Sequence, residues 1–183
     1  MNAGIAGNRI LKPDAYSAEN ADASGPAALQ RVTRDVLSLS GVSAVIWFEG
    51  INDLGPHGQA SLAELEQAIT SGVRALRLAA PAVRVIGTTL TSAHGNPEFG
   101  ARDEDRQALN AFIRASGLFD AVIDFDSATA NPRSGALKPE YAVPTNGVSI
   151  EDGLHPNRAG YLAMAGAIDL DALLREIATE PSS

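Results

Sequence analysis

The chain has no cysteine, few aromatic residues and no long hydrophobic run. The lack of cysteine excludes disulfides, thiolate metal sites and a cysteine nucleophile. No apolar stretch approaches the ~20 residues needed to span a bilayer. No signal peptide is recognisable at Met1, which leaves the compartment open. The three histidines (His57, His94 and His155) lack metal-ligand spacing, so we expect neither a metal site nor a cofactor.

Positive charge is also scarce. The chain carries 14 Lys and Arg residues against 22 Asp and Glu residues, for a formal net charge of -8. Such an acidic surface repels phosphate backbones, so we expect no nucleic-acid partner. The 183 residues, of which 45% are hydrophobic, suit one globular domain spanning the whole chain, residues 1–183.

Short apolar strands alternate with helical segments along the chain. Apolar, β-branched runs predict strands over 44–48, 83–90 and 121–125, and apolar spacing predicts helices over 27–39, 61–80, 102–116 and 158–178. Residues 128–151 are predicted to form a long polar loop, and the acidic residues at 103–105 a solvated helix start. This order predicts an α/β fold with a parallel sheet, whose ligands bind beyond the carboxyl ends of the strands.

Three short segments near those strand ends carry candidate chemistry. Asp152 and His155 lie three residues apart, and a carboxylate that orients a histidine ring makes it a general base. Asn52 directly follows a strand, where its amide can donate to a developing oxyanion. Gly7 lies in a glycine-rich segment whose backbone N–H can approach a ligand closely. Each signal alone is more often a turn or a solvated polar residue.

Taken together, the three segments resemble a known family. The sequences N-A-G-I-A-G-N from Asn2, E-G-I-N-D from Glu49 and D-G-L-H-P-N from Asp152 are similar to blocks two, three and five of the SGNH/GDSL hydrolases. The resemblance implies a flavodoxin-like three-layer α/β/α sandwich with a parallel sheet. It also implies hydrolysis of carboxylic esters, short-chain acyl or acetyl esters above all, through an acyl-serine. By position, His155 would be the base, Asp152 its partner, and Asn52 and Gly7 the oxyanion-hole donors.

The nucleophile that this resemblance implies is missing from the chain. Members of the family begin with a strand that ends in Gly-Asp-Ser, and this chain contains no such motif. The resemblance thus implies an N-terminally incomplete domain that lacks the first strand and helix, with an unknown nucleophile. Ser127 mimics the motif in F-D-S but most simply opens a loop, and Ser17, Ser24 and Ser92 have no supporting context. Loss of that strand exposes a sheet edge, for which we expect a homodimer through that edge, a swapped arrangement or a rebuilt N-terminal segment.

Three interpretations of the missing motif stay open. The chain is a shortened copy of an ordinary esterase, a natural short form with a rearranged site, or a catalytically inactive relative that binds a ligand. The first two predict an ester hydrolase, and the third predicts a binding module. Hydrolysis of p-nitrophenyl acetate that depends on His155 separates the enzyme from the binding module.

Overall fold

A computed structural model describes residues 1–12, 24–142, 152–171 and 173. Three parallel strands form a sheet in the order β1, β2, β3, with bounds Ala44–Trp47, Arg84–Thr88 and Ala121–Ile123. In the register, Ile46 lies opposite Ile86, and Thr88 lies opposite Ile123. Because the strands are parallel, their carboxyl ends share one rim of the sheet.

The helices follow the predicted alternation. They are α1 (Ala28–Val32, continuing as a π-helical turn over Thr33–Leu37), α2 (Ile51–Leu54), α3 (Leu62–Ala79), α4 (Asp103–Ala115, after a 3₁₀ turn at Gly100–Arg102), α5 (Phe125–Thr129), α6 (Pro139–Ala142) and α7 (Arg158–Gly166). The predicted 61–80 helix begins with a capping box, in which the Ser61 hydroxyl accepts from the N–H of Glu64 and the Glu64 carboxylate accepts from the N–H of Ser61.

Two of the predicted segments differ from the structure. The loop expected over 128–151 contains the end of α5 and all of α6, and residues 143–151 lie outside the described part of the chain. The last helix ends at Gly166 and gives way to a turn at Ala167, whereas the sequence predicted it to continue to 178. Its predicted end lies outside the described residues.

Helices cover both faces of the sheet. On one face α3 and α4 pack against Val85 through Leu65, Ile69 and Leu109, all fully buried. On the other face α7 contributes Met164 to a smaller cluster around Ile86, Ile123 and Phe125. The three-layer α/β/α architecture with a parallel sheet is therefore confirmed. No helix within the described ranges is both long and apolar enough to cross a membrane.

The outer edge of β1 is not paired with any strand in the described parts of the chain. Next to this edge, Ile46 is 49% exposed and Phe48 is 43% exposed, although the ring of Phe48 contacts Phe125 edge-on at 5.2 Å between centroids. Ile46 lies on the same face of the sheet as its partner Ile86, which is the face that α7 covers. Next to β1, part of this face is therefore left uncovered.

Candidate active site

The predicted Asp–His pair is formed by a tight turn just before α7. The Nδ1 atom of His155 lies 2.6 Å from Oδ2 of Asp152. The other oxygen of that carboxylate accepts from the N–H groups of Leu154 at 2.9 Å and His155 at 2.8 Å. Gly153 supplies the left-handed conformation (φ +68°) that this turn requires. The carboxylate is thus fixed from two sides, and the His155 ring is held through Nδ1.

The electrostatics of the pair suit a general base. Burial alone raises the pKa of Asp152, but hydrogen bonds from the His155 N–H, the His155 ring and the Leu154 N–H outweigh it and lower the pKa below its ordinary value. Asp152 is therefore ionised at neutral pH, as the partner of a general-base histidine has to be. The His155 side chain is 62% exposed, so a substrate can reach the ring.

The turn that carries the pair is anchored to the loop after β2. The side-chain amide of Asn96 donates to the carbonyl of Asp152 at 2.7 Å, while its oxygen accepts from the N–H groups of Glu98 and Phe99 at 2.9 Å each. Gly153 packs so closely on Gly95 that a Cβ at position 153 would collide with the Gly95 carbonyl. The pair therefore lies beside the loop that follows the carboxyl end of β2.

Asn52 lies in α2, directly after β1. Its half-buried side-chain amide donates to the carbonyl of Asn8 at 3.0 Å. The neighbouring Asp53 is fully buried and accepts from the N–H groups of Ile10 at 2.8 Å and Leu11 at 3.1 Å. The two residues together bind the N-terminal segment to the end of β1, which brings the second and third predicted motifs into contact.

Gly7 precedes Asn8 in that N-terminal segment. Its φ of +73° favours glycine, and a Cβ at this position would lie 2.6 Å from the Ser24 hydroxyl. The side chain of Asn8 donates to the carbonyls of Ser24 at 2.7 Å and Pro26 at 2.9 Å. Gly7 and Asn52 are therefore neighbours through Asn8, as two donors to one oxyanion would have to be.

A further contact joins the two halves of the candidate site. Gly55, at the end of α2, packs against the ring of Phe99, and the N–H of Phe99 donates to Asn96, which in turn holds Asp152. The structure thus brings all three motifs to the same rim of the sheet. That the ring of His155 faces the amide of Asn52 across a substrate stays a prediction.

The candidate serines differ in their surroundings. Ser127 donates to the carboxylate of Asp124 at 2.8 Å and lies in the first turn of α5, so its side chain serves a helix cap. Ser92 donates to the carbonyl of Gly135 at 2.6 Å. Ser24 lies beside Gly7, as described above, and Ser17 lies outside the described residues.

A cavity lies away from these residues. It has a volume of about 570 Å³, and none of the four predicted site residues lines it. Its cations are already engaged: Arg106 and Arg114 both bind Asp126, at 2.7 and 3.3 Å, and Lys138 donates to the Ala128 carbonyl. Among the residues that the structure describes, no group of three or more histidine and acidic side chains is placed to hold a metal ion.

Sequence reasoning missed three residues that bind the segments carrying the predicted site residues: Arg31, Asp53 and Asn96. Asp53 lies within the E-G-I-N-D segment, but the partners that Asp53 and the Asn96 amide nitrogen bind are 42 to 56 residues away in the chain. The one local signal for Arg31 is its helical i, i+4 spacing to Asp35. Nothing in that spacing indicates the further partners that the fold brings to it.

A parallel α/β sheet with an Asp–His pair at its carboxyl rim is an arrangement used by hydrolases that act through a nucleophile. The chain belongs to the GDSL-like lipase/acylhydrolase family, whose model matches residues 1–163. It is an ester hydrolase by family. No curated protein matches the sequence.

Several proteins of known structure have a fold similar to that of this chain. A protein of Bacteroides fragilis described as a candidate acylhydrolase is similar with a TM-score of 0.67 and 24% identity, over 81% of this chain and 69% of that one. A GDSL-like lipase of Bacteroides thetaiotaomicron is similar with a TM-score of 0.63 and 24% identity, over 82% of this chain and 68% of that one. Est24, a carbohydrate acetylesterase of Sinorhizobium meliloti, is similar with a TM-score of 0.65 and 16% identity, over 91% of this chain and 75% of that one.

Proposed function

We propose that this chain provides the base and the oxyanion hole for hydrolysis of carboxylic esters, with short acyl or acetyl esters as substrates. His155 is the general base, Asp152 orients it, and the side-chain amide of Asn52 and the N–H of Gly7 bind the oxyanion. The observation that carries the proposal is the 2.6 Å contact between His155 and Asp152 at the sheet rim, with the ring open to solvent. The acetyl preference is supported by carbohydrate esterases among the structural neighbours.

In this mechanism a serine hydroxyl attacks the acyl carbon and its proton passes to Nε2 of His155. The carbonyl oxygen becomes an oxyanion that accepts hydrogen bonds from Asn52 and Gly7, a contribution of about 3 kcal/mol per donor in a comparable hydrolase. The imidazolium, stabilised by Asp152, then protonates the departing alcohol. Water attacks the resulting acyl-serine with the same proton transfers, which releases the acid and regenerates the hydroxyl.

The serine needs a place at the same rim. A strand added in parallel to the free edge of β1 would end beside Asn52, because parallel strands end at a common rim. It would also cover the exposed side chains of Ile46 and Phe48. We therefore propose that the nucleophile is carried by a strand that adds to this edge. Where no such strand is bound, a second copy of the chain pairs with the edge and forms the homodimer.

The first test is hydrolysis of p-nitrophenyl acetate by the purified chain, alone and with a Gly-Asp-Ser strand peptide from a family member. We expect turnover to rise with the peptide, to fall at least a hundredfold in His155→Ala, and to fall by about 10²–10³ in Asn52→Ala. His57→Ala, which removes an exposed histidine outside the site, should leave turnover unchanged.

Three outcomes would contradict parts of the proposal. Turnover that survives in His155→Ala would exclude His155 as the base. Turnover without peptide that is lost in Ser24→Ala would place the nucleophile beside Gly7 and exclude the added strand. Saturable acetate binding without hydrolysis under any condition would identify the chain as a ligand-binding module.

A further inference from the structure

Arg31 is a buried arginine that binds four acceptors and joins its own helix to the N-terminal segment and to the end of β1. It lies in α1, and its side chain is only 7% exposed. Its guanidinium donates to the Ala3 carbonyl at 2.5 Å, to the Asn8 side-chain oxygen at 2.9 Å, and to the carboxylates of Asp35 and Glu49 at 3.1 Å each. All three guanidinium nitrogens are used, so this cation is engaged within the protein.

The contact with Asn8 connects Arg31 to the oxyanion hole. Arg31 holds the side-chain oxygen of Asn8, while the side-chain nitrogen of Asn8 donates to the carbonyls of Ser24 and Pro26. With its side chain fixed at both ends, Asn8 presents its backbone carbonyl to the amide of Asn52 at 3.0 Å. One N–H of Asn52 is used in this bond, and the other is left to donate to a substrate.

The same guanidinium fixes Gly7 from both sides in the sequence. Ala3 and Asn8 flank the Gly7 turn, and both are bound by Arg31. Beyond it, the buried carboxylate of Asp53 accepts from the N–H of Ile10. The segment has no strand partner in the described part of the chain, and these side-chain hydrogen bonds hold it together with one backbone bond, from the Ala28 N–H to the Arg9 carbonyl at 2.8 Å.

We infer that Arg31 is the positioning residue of the oxyanion hole: it sets the relative placement of the Gly7 N–H and the Asn52 amide through Asn8. The inference rests on the proposed function for the role of the two donors. Arg31 itself touches no substrate, because it is buried and each of its three side-chain nitrogens is bonded within the protein. Lysine can replace it only in part, since one ammonium group cannot reach all four acceptors at once.

The test compares Arg31→Ala and Arg31→Lys with Arg34→Ala in the full chain. Arg34 lies on the following turn and is 65% exposed, and among the described residues its side chain binds the shared Asp35, which makes it a matched control. The readouts are hydrogen exchange of the Asn52 side-chain amide and of the Asn8 and Ile10 N–H groups by NMR, and the shift of the Asn52 amide during titration with sodium acetate.

We expect Arg31→Ala to speed exchange at these groups at least tenfold and to raise the half-saturating acetate concentration at least fivefold. Amides of β2 and α3 should be unchanged, Arg31→Lys should be intermediate, and Arg34→Ala should match the wild type. Exchange within twofold of wild type in a folded Arg31→Ala would overturn the inference. So would loss of the whole folded spectrum in both Arg31 variants, because Arg31 would then hold the entire domain.

The acetate titration separates this inference from the proposed function. If wild-type Asn52 shows no acetate-dependent shift but its exchange still depends on Arg31, the oxyanion role of Asn52 fails and the positioning by Arg31 stands. If acetate shifts Asn52 equally in wild type and Arg31→Ala, the oxyanion role stands and the positioning role fails.

Discussion

Glu49 lies directly after β1, and its carboxylate pairs with Arg31 at 3.1 Å. Burial raises the pKa of Glu49 from 4.5 to about 7, and the nearby Asp53 adds to the effect, although Arg31 opposes it. A carboxyl group with a raised pKa binds its proton more tightly in the folded state. Its stabilising contribution is therefore complete below pH 4.5 and is lost as the pH rises through about 7.

The uncharged variant Glu49→Gln should remove this pH dependence. The free energy of unfolding of Glu49→Gln, relative to wild type, is expected to rise between pH 4.5 and 8 by about 3 kcal/mol. Urea unfolding at several pH values measures it, with Glu104→Gln, at an exposed position of α4, as the control. Parallel stability–pH curves for Glu49→Gln and wild type would show that the Glu49 carboxyl titrates normally.

For single residues, the sequence predicts contacts between residues that are close together in the chain. Asp152 and His155 are three residues apart, so one turn brings them together, and the motif that contains them is sufficient to find the pair. Asp103 shows the limit. The sequence indicated a solvated helix start, but Asp103 is buried because Arg106, one turn later, binds it at 2.6 Å while also binding Asp126 from α5. That second partner is brought in by the fold.

At the scale of elements, the site depends on two loops that meet backbone to backbone. Gly153 and Gly135 both have left-handed conformations, with φ of +68° and +75°. A Cβ at position 153 would collide with Gly95 in the loop after β2, whereas a Cβ at position 135 would meet nothing within 4 Å. The two glycines thus share a backbone requirement and differ only in the space beside them.

This difference makes a paired prediction. Gly135→Ala should cost about 1–2 kcal/mol of unfolding free energy, the usual price of a left-handed alanine. Gly153→Ala should cost a further 1–3 kcal/mol, because the loops must separate. It should also weaken the Asn96–Asp152 hydrogen bond and move the His155 ring resonances in NMR spectra. Equal losses in the two variants would mean that the loops tolerate separation.

The sequence predicted the fold best at the level of its strands and longer helices. The strands are short apolar runs in the sequence, and their alternation with helices is sufficient to predict a parallel sheet. The short helices α2, α5 and α6 were not predicted. They have four or five residues each, too few for an apolar period to show, and tertiary contacts stabilise them. Asn52 was therefore expected in a turn and lies in α2.

At the scale of the whole molecule, the free edge of β1 is the most consequential feature. Unpaired strand edges flanked by exposed apolar side chains favour pairing with another chain. Two copies related by a two-fold axis would join their β1 strands in antiparallel fashion, giving one sheet of six strands and covering Ile46 in both copies. The strand that we propose to carry the nucleophile would occupy the same edge, so dimer formation and completion of the site are mutually exclusive.

Light scattering after gel filtration tests this directly. The chain of 19.0 kDa should elute at about twice that mass, and Ile46→Lys, which places a charge beside the edge, should shift it to the monomer. Leu78→Lys, at an 84% exposed position of α3 on the other side of the sheet, should leave the dimer intact. Adding the Gly-Asp-Ser strand peptide should dissociate the dimer over the same concentration range in which it raises esterase turnover. A dimer that persists while turnover rises would show that the nucleophile reaches His155 by a route other than the β1 edge.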